Sequence, residues 1–150
     1  MSNTLRLVVY GPPVGAARPR VMRLPSGASH TFMPDKSVRW EEQARQAAVQ
    51  ALGGRPPLEG PVLVVVKAHH SRPGRLRRRK DPRGAFHAAR KPDVDNVAKL
   101  ALDALVKAQV MRDDTQAVVL VASRWWLPID DRGQDLGQER VEVRVRELGP

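Results

Sequence analysis

Between Lys91 and Gln116 the chain reads KPDVDNVAKLALDALVKAQVMRDDTQ, an apolar helical stretch with acidic pairs at both ends. Val94, Val97, Ala98, Ala101, Leu105 and Ala108 recur at helical spacing, which predicts a helix from about Val94 to Ala108 with one face to bury. Asp93 and Asp95 open it, Lys99 follows Asp95 by four residues, and Asp113 and Asp114 come after it. Clustered carboxylates repel, and a divalent cation between them reverses that. In a chain of formal net charge +10, such a cluster suggests a metal site facing a polyanion.

The rest of the composition narrows the class. The chain has 150 residues, 41% of them apolar, enough for one ordinary domain over 1–150 with its own core. Three Trp, two Phe and one Tyr leave that core to Val, Leu and Ala. Without cysteine there is no disulfide, thiolate zinc site or cysteine nucleophile. The apolar run from Pro61 to Val66 is too short to cross a bilayer, and the N-terminus lacks the pattern of a signal peptide, so no membrane partner and a cytoplasmic location are expected. Lys and Arg number 26 against 16 Asp and Glu, which favours a polyanionic partner, such as nucleic acid or an anionic membrane; an arginine-rich proteome would also produce such a balance.

Along the chain, Thr4 to Tyr10 alternates as a strand and stops at Gly11-Pro12-Pro13. Two short strands are expected at Arg18 to Leu24 and His30 to Met33, turning at Pro25-Ser26-Gly27. A helix from about Asp35 to Leu52 buries Trp40, Ala44, Ala47, Ala48 and Ala51 and ends at Gly53-Gly54. Pro61 to His70 is a strand whose apolar run suggests burial on both faces. Residues 71–91 read as a loop or flexible basic arm. Ala117 to Leu127 and Val141 to Arg146 are further strands, joined by a polar loop at 130–138. The class is α+β: a small single domain with two main helices and a mixed sheet of about five strands.

Each acidic feature has a structural use as well. Asp93 suits a helix N-cap and Asp95 the first turn. Asp95 with Lys99, and Asp103 with Lys107, have the spacing of surface ion pairs. Asp113-Asp114 before Thr115 suits a turn. The same geometry also serves chemistry. Asp93 and Asp95 can turn to one hard cation, which takes oxygen ligands. A bound Mg²⁺ polarises a phosphate and activates water, and Lys99 can neutralise developing charge.

The segment DVDNVAKLALDALVKAQVMRDDTQAV resembles the signature of the RusA family of Holliday junction resolvases: D-x-D-N-x-x-K, a helix containing D-A-L, then D-D-x-Q-[VI]. The strand ending at Pro12-Pro13, the Arg-bearing segment after it and the first helix fall where that family has them. Family members commonly have a shorter link where this chain has Ser71 to Arg90. The resemblance implies a RusA-like fold and a homodimeric, Mg²⁺-dependent crossover junction endodeoxyribonuclease, with Mn²⁺ as a substitute metal. The implied reaction is paired nicking of opposed strands of a four-way DNA junction in recombination and repair, in a bacterial or prophage-encoded protein. It carries catalytic roles onto Asp93, Asp95, Lys99 and Asp114, with the three aspartates as metal ligands.

A helix from Val94 to Ala108 is roughly 20 Å long at ~1.5 Å per residue, so Asp114 starts far from Asp95. Either two antiparallel helices in a dimer bring Asp114 of one chain to Asp93 and Asp95 of the other, or a broken helix gathers all ligands in one chain. For junction binding, Arg72, Arg75, Arg77, Arg78, Arg79, Lys80 and Arg83 on the arm, with Arg18, Arg20 and Arg23, are the expected phosphate contacts. Trp125-Trp126 suit a wedge or stack on an unpaired base, though one of the two is rather expected to fill the aromatic-poor core. His69 and His70 are expected to meet DNA or solvent. Two rival classes stand beside this reading: a non-catalytic DNA-binding module, and a metal phosphoesterase acting on other nucleic acid.

Overall fold

The computed structural model describes residues 3–32 and 34–150. Its strands are β1 (Thr4–Tyr10), β2 (Arg20–Arg23), β3 (Ser29–Phe32), β4 (Val62–His70), β5 (Phe86–His87), β6 (Ala117–Trp126) and β7 (Arg140–Glu147); its helices are α1 (Asp35–Leu52) and α2 (Val94–Lys107). Five strands form a mixed sheet in the order β1-β7-β4-β6-β5, and β2 pairs with β3 in a separate hairpin. Only β4 and β6 run parallel, with α2 as the crossover between them. This is the α+β architecture expected. Met33, placed at the end of the second short strand by sequence, lies outside the described residues.

Period two decides which way the sheet faces. Leu5, Leu7 and Val9 on β1, Val62, Val64, Val66 and Ala68 on β4, and Val141, Val143 and Val145 on β7 are all buried. The pairing puts them on one side, as in Leu7 opposite Val143 and Val143 opposite Val66. Trp40, Ala44 and Ala48 of α1 and Val97, Leu100, Ala101, Ala104 and Leu105 of α2 join the same cluster. The alanines let helix backbones approach closely, and Trp40 supplies aromatic volume. Truncating a buried leucine such as Leu105 would cost about 2–5 kcal/mol. The other side of the sheet carries Arg6, Lys67, Glu142 and Arg144, so β4 is fully buried on one face only, not on both as its apolar run suggested.

Both helices end on left-handed residues. Gly53 closes α1 at φ 61, donating to Val49 O at 3.1 Å. At α2 the left-handed residue is Gln109, φ 59. Its N–H donates to Val106 O and that of Val110 to Leu105 O, both at 3.0 Å, a two-bond cap that turns the chain toward Asp113.

The basic segment 71–91 is folded, and Arg72 is the reason. Arg72 is 3% exposed, and its guanidinium donates to the carbonyls of Leu127, Leu76, Pro82, Arg83 and Gly84 at 2.6–3.4 Å. Arg77 donates to Arg72 O, Gly133 O, Ser71 Oγ and Asp135. Asp135 is buried enough to raise its carboxyl, yet the bonds from Ser71 and Arg77 outweigh that and hold it below the usual carboxylate range. Phe86 and His87 then add β5 to the sheet beside Trp126 and Trp125.

Candidate functional site

The N-terminus of α2 is built by contacts from three directions. Gly15 O accepts from Ser37 Oγ of α1 at 3.1 Å, and Ala16 N–H donates to Asn96 O at 2.9 Å. A Cβ at Gly15 would lie 2.9 Å from Pro92 Cβ and 3.0 Å from Asn96 Cβ, so only glycine fits the Pro-Pro-Val-Gly loop against the helix start. Arg124, at the end of β6, donates to Pro92 O. The loop, α1 and the sheet together fix where Asp93 and Asp95 stand.

Asp93 occupies the N-cap position with extended backbone, and Val97 N–H donates to its carbonyl at 3.1 Å. Its side chain makes no capping bond. Asp93 and Asp95 are both exposed. Lys99, one turn along, pairs with Asp103 at 3.6 Å and not with Asp95. Lys107, expected to pair with Asp103, reaches Glu41 of α1 instead. Beside Asp93 opens a cleft of about 570 Å³, lined by the cations Arg20, Lys36, Arg90 and Lys91 together with Asn96 and His70.

His70 and His69 depart from expectation. His70 is 2% exposed, on the buried face of β4, with its ring edge against Trp126 and, among the described residues, no hydrogen-bond partner for its Nε2. Burial, with Arg90 and Arg124 nearby, pushes its pKa down to about 4. His69 points to the other face, 3.4 Å from Glu142; burial and Arg140 outweigh that carboxylate and lower its pKa. Neither ring is open to solvent as the sequence suggested. The alternation Val62, Val64, Val66, Ala68, His70 was the signal that could have placed His70 inside. Trp126 is buried, as expected of one of the pair.

The second acidic pair sits at the opposite end of α2. Asp113 caps a short 3₁₀ turn, Asp114–Gln116, by accepting from Thr115 N–H at 2.8 Å. That backbone bond leads the interactions holding its carboxyl below the usual range. Asp114 is exposed beside it. Since β4 and β6 are parallel, Asp114 precedes the end of β6 far from Arg124 and Pro92. Among the described residues no group of three or more acidic or His side chains is placed to hold a metal ion. The donor chemistry of Asp93 and Asp95, hard carboxylate oxygens, fits Mg²⁺ or Mn²⁺. Their number in one chain falls short, because Asp114 is not brought to them.

The basic residues separate into two sets. Arg72 is a buried structural hub and Arg77 is bonded into the arm, which removes Arg72 from the expected DNA contacts: its donors are already taken by carbonyls. Arg75, Arg79 and Lys80 are exposed, Arg78 pairs with Asp81, and Arg83 approaches Asp131 at 3.8 Å. Arg18 is exposed in the loop after Gly15, and Arg20 and Arg23 stand on the hairpin, whose strands are exposed throughout.

No helix among the described residues is long and apolar enough to cross a membrane. A Bacillus subtilis (strain 168) protein described as "Uncharacterized protein YqaN" is 31% identical over 153 residues, covering 97% of this chain and 98% of that one. The family described as "Endodeoxyribonuclease RusA" matches residues 10–146, which run from the last residue of β1 through most of β7 and include both acidic pairs. The chain belongs to the RusA endodeoxyribonuclease family.

Proposed function

We propose that this protein is a crossover junction endodeoxyribonuclease that nicks opposed strands of four-way DNA, with Asp93, Asp95 and Asp114 as metal ligands and Lys99 beside them. The observation that carries the reading is the start of α2. Asp93 stands there in the wall of a cleft that also carries four cations and Glu139, with exposed Asp95 two residues on, within a chain of the RusA family. Carboxylates on a cation-lined surface suit a reaction whose substrate is a polyanion.

In this reading Arg20, Lys36, Arg90 and Lys91 receive phosphate oxygens and hold the backbone against the start of α2. Asp93 and Asp95 present oxygen donors at that point. Mg²⁺ held there would supply Lewis-acid polarisation of the phosphate and activation of water. Lys99 is 63% exposed at its side chain and bound only loosely to Asp103, which leaves it able to swing toward charge that develops on the phosphate. Arg75, Arg79 and Lys80 extend the contact along a DNA arm and carry little sequence information.

Helix α2, 14 residues or about 21 Å long at ~1.5 Å per residue, lies between Asp93 and Asp114 and favours a site shared between two protomers over one within a chain. A two-fold dimer carries two such sites, matching the two cuts that resolve a junction.

The deciding experiment is cleavage of a synthetic four-way junction with and without Mg²⁺, in the presence of excess linear duplex. Mg²⁺-dependent cleavage that survives the duplex supports the reading. Binding without cleavage would make the protein a DNA-binding module. Cleavage suppressed by linear duplex would make it a nuclease of different substrate.

A further inference from the structure

The helices cover one side of the sheet, the side of Leu5, Val64 and Val143. The opposite side carries Arg6, Val8 and Tyr10 of β1 and Arg144 and Arg146 of β7, all of them exposed. Strand pairing arranges this open side as a grid. In one row Tyr10 lies opposite Arg140, Arg140 opposite His69, His69 opposite Trp125, and Trp125 opposite His87. The row crosses all five strands, and four of its five side chains are rings. Tyr10, at one end, is 63% exposed. Toward the other end His87 lies on Trp125 with ring centroids 4.1 Å apart, and Trp125 Nε1 donates to Ser123 Oγ at 2.8 Å, which fixes the indole on the sheet. His87 is itself exposed, so the pair is a stack that a further ring can join.

The neighbouring rows are basic. Lys67 lies opposite Glu142, and Arg6 opposite Arg144. Glu142 is the one carboxylate that the four long strands place on this side, and Arg140 at 2.8 Å and His69 at 3.4 Å already engage it. Among the described residues Arg6, Lys67, Arg144 and Arg146 form no ion pair. A hollow of about 410 Å³ opens between Arg6, Lys67 and Arg144, with Val8 and Val65 in its wall.

We propose that this open side of the sheet binds a single strand of DNA, with bases stacked on Tyr10 and on the His87–Trp125 pair and the backbone turned toward Lys67, Arg144 and Arg6. Tyr10 and Trp125 stand three strands apart, about 14 Å at ~4.8 Å per strand. That is roughly four nucleotides at the ~3.4 Å rise of a stacked strand. Lys67 lies two residues along β4 from His69, about 7 Å, within reach of the phosphates of such a strand. A duplex hides the faces of its bases, so a row of rings selects unpaired nucleotides; every base has such a face, so little sequence preference follows. An acidic protein would use the cations but leave the row of rings without a purpose. A second copy packed face to face would set the two groups of cations against each other.

This surface is separate from the acidic cleft. His70 lines the cleft from the helix side of β4, and Arg124 of β6 reaches Pro92 on that same side. The inference therefore goes beyond the nuclease reading and does not depend on it.

The test is fluorescence anisotropy of a labelled thymidine oligonucleotide of about 12 residues, with the full-length protein and no Mg²⁺. Tyr10→Ala should weaken binding roughly tenfold, as the loss of one stacked base does, while Tyr10→Phe should keep the wild-type affinity. Lys67→Gln combined with Arg144→Gln should lower the slope of log affinity against log salt by about 1.4, at ~0.7 per phosphate on a single strand. Trp40 and Trp126 are buried, so quenching of the tryptophan emission by the oligonucleotide reports Trp125. Polyglutamate of equal length should leave that emission unchanged and compete far less well. Affinity for a four-way junction should be the same in all variants as in the wild type, and circular dichroism should show each of them folded. Full oligonucleotide affinity in Tyr10→Ala, polyglutamate that competes and quenches as well as the oligonucleotide, or an equal loss of junction affinity in these variants would each overturn the proposal.

Discussion

Asp113 and Gln116 cap each other across one turn: the Asp113 carboxylate accepts from Thr115 N–H at 2.8 Å, while Gln116 Oε1 accepts the Asp113 N–H at 3.3 Å. Gln116 is anchored in turn through Nε2, which donates to Leu58 O and Gly60 O at 2.8 and 3.0 Å. The acidic pair is therefore divided between a residue bound into the turn and an exposed neighbour. Asp113→Ala should destabilise the protein by about 1 kcal/mol, the usual cost of a lost cap, while much of the cleavage survives. Asp114→Asn should leave the melting temperature within a degree or two and abolish cleavage, with junction binding equal or tighter. The two variants compared by thermal melting and junction nicking test the division; equal loss of cleavage in both would reject it.

Gly15 packs on Pro92 and Asn96 too closely for any side chain. Gly15→Ala should push the start of α2 aside, costing about 1–3 kcal/mol by overpacking. A displacement of the carboxylates on the order of an ångström typically costs about a hundredfold in rate. Cleavage should thus fall much further than junction affinity, as single-turnover rates and gel-shift titration would reveal.

The arm offers a contrast between two kinds of arginine. Arg72→Met leaves five carbonyls without their donor and should cost roughly 3–5 kcal/mol, measured by chemical denaturation together with faster proteolysis within 71–91. Replacing exposed Arg75, Arg79 and Lys80 by Gln should leave stability within about 0.5 kcal/mol. If all three meet phosphates, the slope of log affinity against log salt should fall by about 2.7.

His70 ties stability to pH. Its folded pKa of about 4 lies below the ordinary 6.5, so between these values the unfolded chain binds the proton and the folded one does not. The contribution is complete above pH 6.5 and is lost as the pH falls toward 4, amounting to roughly 3 kcal/mol. Denaturation midpoints at pH 7.5 and 5 should diverge in the wild type and converge in His70→Phe. An unchanged difference would mean other groups carry the dependence.

A shared site predicts complementation. Asp95→Asn and Asp114→Asn should each be inactive alone. After subunit exchange, a mixed dimer has one site with both defects and one with none, and nicking of a supercoiled cruciform plasmid should return to about half the wild-type rate per dimer, as two equal sites on a symmetric dimer imply. If all ligands came from one chain, every site would carry a defect and no nicking would return.

The regular elements were readable because local pattern and tertiary burial agree. Trp40 and the alanines of α1 fall on one helical face, Gly53 stops it, and the helix runs over the expected Asp35–Leu52. The acidic motif placed Asp93 at the start of α2 and Asp113 at a turn, also as observed. The arm was not readable. Arg72 looks in sequence like its neighbours Arg75 and Arg79, and what buries it is a set of backbone carbonyls from 76, 82–84 and 127, which have no side-chain signature. His70 was readable in principle: counting by two from Val62 puts it inside, but two adjacent histidines beside a basic run draw attention to solvent. The exposed β6 edge was hidden for a different reason. An apolar strand reads as a central one, and the strand order is what shows that no described strand pairs with β6 beyond Val118 to Val121.

The Arg72 hub bears on binding kinetics as well as on folding. A disordered basic tail loses conformational freedom each time it settles on a polyanion, and that loss subtracts from every contact it makes. Here the ordering of Arg75, Arg79 and Lys80 is completed during folding, by a guanidinium that itself never meets solvent. A polyanion approaching this surface encounters a fixed constellation of charge. Each contact it makes there therefore loses less conformational freedom than the same contact with a pliable tail would.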